Sequence, residues 1–120
     1  MASTIQDLAE LQREFDLRHG KPGNPWYQQI DATNLPVLLE LTVALAGEVG
    51  EFANATKKIT RGDLTFEAAK PHLASELADI FIYLLKLTSQ LSIDLEGEFR
   101  SKLDLNEQRF AGYSIPQSGR

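Results

Sequence analysis

The sequence predicts an all-α domain, built as a bundle of four to five helices. Several long segments carry apolar residues at helical spacing, and short stretches rich in Gly, Pro and polar residues separate them. No segment shows a convincing alternation of apolar and polar residues, which a half-buried strand would require. The 120 residues fit one domain, spanning residues 1–120, with an irregular tail over about 112–120.

The first two helices have recognisable starts. Thr4 can cap a first helix, whose apolar residues recur every three or four positions up to the segment HGKPGNP (19–25). That segment holds two glycines and two prolines, which predicts a loop. Asn34 or Thr33 can cap a second helix that runs to about Ile59.

The second half of the chain predicts two further long helices. Residues 66–70 can form a helical turn, after which Pro71 is well placed to open a third helix over about 72–91. Asp94 can cap a fourth helix. These helices are more apolar than four helices of one chain can cover. We therefore expect a core completed by dimerisation, as a homodimer or as a tetramer formed by two dimers.

Composition excludes several classes of protein. A net charge of −5 argues against a basic nucleic-acid-binding surface, and the absence of cysteine removes disulfides, thiolate metal sites and cysteine nucleophiles. No stretch is long and apolar enough for a membrane span. The first residues, MASTIQDLAELQ, lack a basic region followed by an apolar one, so we expect no secretion signal and a cytoplasmic protein.

Two pairs of acidic residues interrupt helices that are otherwise apolar. Residues 35–46 are apolar on nearly every side of a helical wheel, yet Glu48 and Glu51 follow directly. The third helix carries Glu76 and Asp79 at the same spacing, which places both side chains on one face. Four carboxylates facing each other would need cations or protons, and all-oxygen ligation suits Mg²⁺ or Mn²⁺. The alternative is a solvated or ion-paired helix face.

Further polar residues extend this pattern. Tyr83 and Lys86 continue the stripe formed by the acids of the third helix. On the fourth helix, Lys102, Asn106 and Arg109 lie on one flank at spacings of four and three residues. Fixed cations near a carboxylate cluster would suit a metal-bound polyphosphate. Arg109 could instead pair with a neighbouring acid at the surface.

Taken together, three motifs resemble those of a known family. They are Glu-x-x-Glu at 48–51, Glu-x-x-Asp at 76–79 and Lys-x-x-x-Asn-x-x-Arg-Phe at 102–110. Over residues 34–110 their order and separations are similar to those of the all-α nucleoside triphosphate pyrophosphohydrolases, the MazG-like superfamily that includes dCTP pyrophosphatases. The resemblance implies a MazG-like bundle. It also implies Mg²⁺-dependent cleavage of a nucleoside triphosphate to monophosphate and pyrophosphate. We expect a deoxynucleotide as the substrate, and control or house-cleaning of the dNTP pool as the role.

The resemblance also implies roles for individual residues. Tyr83 and Asn106 would line the sugar side, and Lys102 would hold phosphate, with Arg109 as a second cation. Trp26 could stack on the base or serve as a hydrophobic plug. The implied metal ligands are Glu48, Glu51, Glu76 and Asp79.

Glu48 and Glu51 are the candidates for catalysis. Glu51 is favoured as the group that orients or deprotonates water, because on the helical wheel it lies further from the apolar arc than Glu48. A di-iron carboxylate bundle is disfavoured, because such bundles use Glu-x-x-His pairs and neither histidine follows a glutamate by three residues. A non-catalytic helical module for dimerisation or interaction remains the alternative, and it predicts indifference to Mg²⁺.

Overall fold

The computed structural model describes residues 3–117, and these residues form four α-helices, one very short hairpin and a single 3-10 turn. The order is α1 (Ile5–Leu17), β1 (Gly20–Lys21), β2 (Asn24–Pro25), α2 (Leu35–Thr60), α3 (Phe66–Gln90), α4 (Leu95–Arg109) and the 3-10 turn (Ala111–Tyr113). The all-α prediction is confirmed. Of the predicted irregular tail, residues 118–120 lie outside the described residues. Within residues 3–117, no helix is both long and apolar enough to cross a membrane.

Two of the predicted helix caps are present as hydrogen bonds. Thr4 and Asp7 form a capping box at the start of α1: the backbone N–H of each donates to the side chain of the other, at 3.0 and 3.1 Å. Asp94 accepts a hydrogen bond from the backbone N–H of Gly97 at 3.1 Å and caps α4.

Asn34 occupies the cap position of α2 but uses its side chain elsewhere. Its Nδ2 donates to the carbonyl of Gln29 at 2.9 Å, and its Oδ1 accepts from the N–H of Asp31 at 2.8 Å. The side chain thereby fixes the loop before α2.

The segment predicted as a loop contains a minimal hairpin. Strands β1 and β2 pair antiparallel, Gly20 with Pro25 and Lys21 with Asn24. Gly20 has φ of +124°, and a Cβ there would lie 2.7 Å from the carbonyl oxygen of Asn24, so only glycine fits. Two-residue strands are too short to produce a detectable alternation in the sequence.

The prediction that Pro71 opens the third helix is wrong. Helix α3 begins five residues earlier, at Phe66, where the Thr65 side chain accepts a hydrogen bond from the N–H of Ala68 at 3.2 Å. Pro71 lies inside the helix and leaves the carbonyl four residues earlier without its helical donor, at a usual cost of about 3 kcal/mol. The Thr65 cap and the burial of Ala69 against the rest of the domain keep the helix continuous.

The core lies between α2 and α3, which form an antiparallel pair joined by the short loop 61–65. Residues early in α2 line the same pocket as residues late in α3, and the reverse holds at the other end. Helix α1 packs on α3. The buried apolar side chains are Ile30, Ala55, Ala69 and Leu85.

Helix α4 packs sparsely, mainly against α1 and the 3-10 turn, and none of its 15 residues is buried. Its apolar side chains Phe99 and Leu103 are exposed, as are Phe110 directly after it and Leu39 and Val43 on α2. Three helices therefore form the core, and within residues 3–117 the apolar face of α4 is left without a partner.

Leu85→Ala tests the core. Leu85 is 4% exposed, and truncation should lower the free energy of unfolding by about 2–4 kcal/mol through lost burial and the cavity left behind. Leu11, which is 61% exposed on α1, supplies the matched control, and Leu11→Ala should cost less than about 1 kcal/mol. Urea unfolding followed by circular dichroism measures both. Equal costs would contradict this description of the core.

Candidate metal centre

Three of the four predicted acids meet where α2 crosses α3. Glu48 projects from α2, and Glu76 and Asp79 project from α3 one turn apart. One carboxylate oxygen from each lies within 4.8 Å of the others. Glu76 is 7% exposed, and the other two are partly buried. The i, i+3 spacing on α3 and the antiparallel pairing with α2 bring the three together.

Two of these carboxylate oxygens are buried without a hydrogen-bond partner in the described part of the chain. They are Oε2 of Glu48 and Oε2 of Glu76. The second oxygen of Glu76 lies 3.6 Å from Nε2 of His72, which is one turn earlier on α3. A buried carboxylate without a partner is costly, so these atoms require either protons or a cation.

The electrostatics of the cluster point the same way. Burial is the largest cause that raises the pKa of Glu48 above its ordinary value, followed by repulsion from Glu51, Asp79 and Glu76. The pKa of Glu76 is likewise raised, first by burial and then by Glu51, while His72 opposes the shift. Each shift reflects the cost of placing a negative charge in a buried position beside other negative charges.

Glu51 lies beside this group rather than in it. Its side chain is exposed and is not one of the three that converge, yet it is close enough to raise the pKa of both Glu48 and Glu76. The donor set is therefore composed of three carboxylates alone, with the exposed Glu51 beside it. Hard divalent cations prefer oxygen ligands and retain waters, so the residues fit such an ion.

A cleft of about 360 Å³ opens on one side of the cluster, lined among others by Glu51, Lys58, His72 and Glu76. His72 was not predicted to belong to the site. The signal was its position four residues before Glu76, which places both on one helix face.

The groove between α2 and α3 continues on the other side of the cluster into a pocket of about 420 Å³. Tyr83, one turn beyond Asp79, lines this pocket, and Trp26 lines it from the loop before α2. The structure therefore brings these two predicted substrate residues together. Their roles remain predictions.

The predicted polar flank of α4 lies elsewhere in the single chain. Lys102, Asn106 and Arg109 are all exposed. Asn106 lines a cleft formed by α4 and the residues after it, whose lining includes none of the four acids, and the Arg109 guanidinium lies 4.9 Å from the ring centroid of Phe110. One chain alone does not bring these residues to the acidic cluster, and their roles remain predictions.

Comparison with known proteins identifies relatives that align with 66% to 98% of this chain. The chain is 31% identical over 121 residues to dCTP pyrophosphatase 1 of Homo sapiens, an alignment that covers 98% of this chain. It is 32% identical over 111 residues to dCTP pyrophosphatase 1 of Rattus norvegicus, covering 89% of this chain. It is also 34% identical over 82 residues to the Gene 37 protein of Mycobacterium phage L5, covering 66% of this chain.

The chain spans 65% of the length of the human protein, 59% of the rat protein and 71% of the phage protein. No family model matches it, and no solved structure matches it. The resemblance inferred from the three motifs is confirmed by these relatives. The chain belongs to the dCTP pyrophosphatase/MazG-like family.

Proposed function

We propose that the chain is a Mg²⁺-dependent nucleoside triphosphate pyrophosphohydrolase, with Mn²⁺ as a possible substitute. The observation that carries this proposal is the convergence of Glu48, Glu76 and Asp79, two of which bury an oxygen without a partner. The names of the mammalian relatives support the reaction class. A non-catalytic interaction module would have no use for uncompensated buried carboxylates, which lower the stability of the fold.

A divalent cation bound there would neutralise the carboxylates, polarise phosphate oxygens and lower the pKa of a bound water. Glu48, Glu76 and Asp79 would hold the ion. Glu51, which is exposed beside them, would accept a proton from the attacking water. As the water oxygen attacks the α-phosphorus, the bond from that phosphorus to the bridging oxygen breaks, and the products are a nucleoside monophosphate and pyrophosphate.

The pocket next to the cluster would take the nucleoside. A phosphate chain held at the acids places the sugar near Tyr83, one turn further along α3, and the base near Trp26. A ring packed against the C2′ carbon leaves little room for a hydroxyl, so deoxynucleotides are the preferred substrates. Control of deoxynucleotide pools or removal of unwanted nucleotides would be the corresponding role.

The substrate site would be completed by a second copy of the chain. The apolar face of α4 lacks a partner in the single chain, and the polar flank of the same helix lies apart from the acids. A homodimer, alone or paired into a tetramer, covers the apolar face and brings Lys102, Asn106 and Arg109 to the phosphates and sugar bound by the partner. Symmetric dimers form two such sites.

The first experiment is a product analysis. The purified chain is incubated with matched dNTPs and NTPs and Mg²⁺, and phosphorus NMR should show monophosphate and pyrophosphate in equal amounts, with dNTPs preferred. EDTA should abolish turnover.

Asp79→Asn should lower kcat by roughly 100-fold or more, because a cation ligand is lost, whereas Glu14→Gln on the exposed side of α1 should have no effect. Metal-independent turnover, or release of orthophosphate alone, would exclude the proposal.

A second prediction concerns the metal-free protein. Because burial raises the folded-state pKa of Glu48 above its ordinary value of 4.5, the protonated form favours folding. That contribution is fully present below the ordinary pKa and is lost as pH rises through the raised one. Glu48→Gln should therefore raise the Tm in EDTA near neutral pH, and its Tm should converge with that of the wild type in acid.

Scanning calorimetry at several pH values measures this difference, with Glu14→Gln as the control for loss of an exposed charge. A Glu48→Gln variant less stable than the wild type at neutral pH would show that the carboxylate is already compensated without metal. Addition of Mg²⁺ should stabilise the wild type and not this variant.

A third prediction addresses the shared site. Asp79→Asn and Lys102→Ala should each be nearly inactive alone. After mixing under conditions that exchange subunits, one site in each mixed dimer contains both wild-type residues, so about a quarter of all sites should recover. Steady-state kinetics on the mixture measures the recovery. No recovery in a mixture shown by native mass spectrometry to contain mixed dimers would confine each site to one chain.

A further inference from the structure

A buried ion pair lies outside the acidic cluster and has no part in the function proposed so far. Asp16 of α1 is 1% exposed, and its Oδ1 accepts hydrogen bonds from Nζ of Lys86 at 2.9 Å and from Nε2 of Gln12 at 3.1 Å. Its Oδ2 is buried without a partner in the described part of the chain. Well-packed apolar residues can stabilise a helix contact as well as a buried ion pair does, so packing of α1 on α3 does not by itself require these charges.

The ammonium group of this pair lies at the wall of the 420 Å³ pocket. Nζ of Lys86 is 5.6 Å from the ring centroid of Trp26 and 5.8 Å from that of Tyr83. The Trp26 ring is in turn stacked on His19, two residues after the end of α1, with centroids 5.6 Å apart. A cation paired with α1 and an aromatic ring stacked on a residue that follows α1 therefore lie in one pocket.

The pocket follows the acidic cluster along the axis of α3. At 1.5 Å rise per residue, Tyr83 lies about 6 Å and Lys86 about 10 Å along the α3 axis from Asp79. All three belong to one stripe of α3. If the phosphates of a nucleotide bind at Asp79, its sugar would lie beside Tyr83 and its base beside Lys86.

The chemistry of the ammonium group defines what it can recognise. It has three N–H donors and no acceptor, and one donor is used by Asp16. The others can donate to water or to an acceptor atom of a bound ligand. Cytosine, thymine, uracil and guanine carry a carbonyl oxygen, at which negative charge is concentrated, whereas adenine offers only ring nitrogens as acceptors. A cationic donor therefore interacts more strongly with a base that carries a carbonyl group. The Asp16 carboxylate fixes the position of this donor and balances its charge within the protein.

We propose that Lys86, positioned by Asp16, recognises a carbonyl oxygen of the nucleobase and so selects keto-bearing bases over adenine. This inference rests on the proposed function for the placement of the phosphates. Lys86 is the residue that touches the base, and Asp16 is a positioning residue that acts through it.

The test compares selectivity rather than activity alone. In the wild type, kcat/KM for dCTP should exceed that for dATP by roughly 10- to 100-fold, the usual effect of one charge-assisted hydrogen bond. In Lys86→Met the ratio should fall towards one. Lys70→Met, an exposed lysine on the same helix, is the matched control and should keep the wild-type ratio.

The double variant Asp16→Leu/Lys86→Met separates selectivity from stability, because it replaces the buried charges with an apolar pair. It should fold as stably as the wild type by urea unfolding and still lack the preference for dCTP. Asp16→Asn should narrow the ratio less than Lys86→Met does. Wild-type selectivity in a folded double variant would overturn the proposal.

A binding measurement without metal or turnover keeps this inference separate from the proposed function. Trp26 is the single tryptophan, so quenching of its fluorescence can report the binding of 2′-deoxycytidine and 2′-deoxyadenosine to the metal-free protein. Lys86→Met should weaken binding of deoxycytidine by roughly 10-fold or more and leave that of deoxyadenosine nearly unchanged. Equal weakening of both would overturn the recognition of a carbonyl oxygen. An inactive wild type that shows this binding pattern would refute the hydrolase and not the base recognition.

Discussion

The contact on which the site depends is an unfavourable one, the approach of Glu48 on α2 to Glu76 and Asp79 on α3. Like charges at this distance repel, and burial of two of their oxygens adds to the cost. The apolar packing of the same two helices, around Ala55 and Leu85, must therefore supply the stability that holds the acids together. The fold brings the acids into position before any cation binds, so the binding free energy is not spent on gathering ligands.

The same balance between repelling acids and stabilising apolar packing explains why the single chain exposes many apolar side chains. Only four apolar side chains are buried in the described residues, while many on α2 and α4 are exposed, including Leu39, Val43, Phe99 and Leu103. Exposed apolar side chains of this kind support the proposed association of two copies of the chain. Because α2 and α3 hold repelling charges, additional burial of apolar surface elsewhere would offset the loss of stability. A second copy of the chain can provide that burial.

The features that could be predicted from the sequence are those set by near neighbours in the chain. Thr4 and Asp94 were predicted as caps because a capping hydrogen bond spans three residues. The acidic pairs were predicted because helical spacing alone puts each pair on one face. The prediction that Pro71 starts the helix was wrong because the Thr65 cap and the packing of Ala69 outweigh the local preference of proline. The strength of these two contacts cannot be read from the local sequence pattern.

What the sequence could not predict is the facing partner of each polar residue. Asp79 and Lys86 belong to one stripe of α3, and from the sequence that stripe is a single mixed surface. In the structure Asp79 faces an acid of α2, whereas Lys86 faces Asp16, a residue 70 positions earlier in the chain. The first contact leaves negative charge that requires protons or a cation, and the second neutralises a charge internally and fixes a donor. One face of α3 thus carries two different electrostatic environments. The helix packed against each part of that face determines whether the charge there is compensated within the protein.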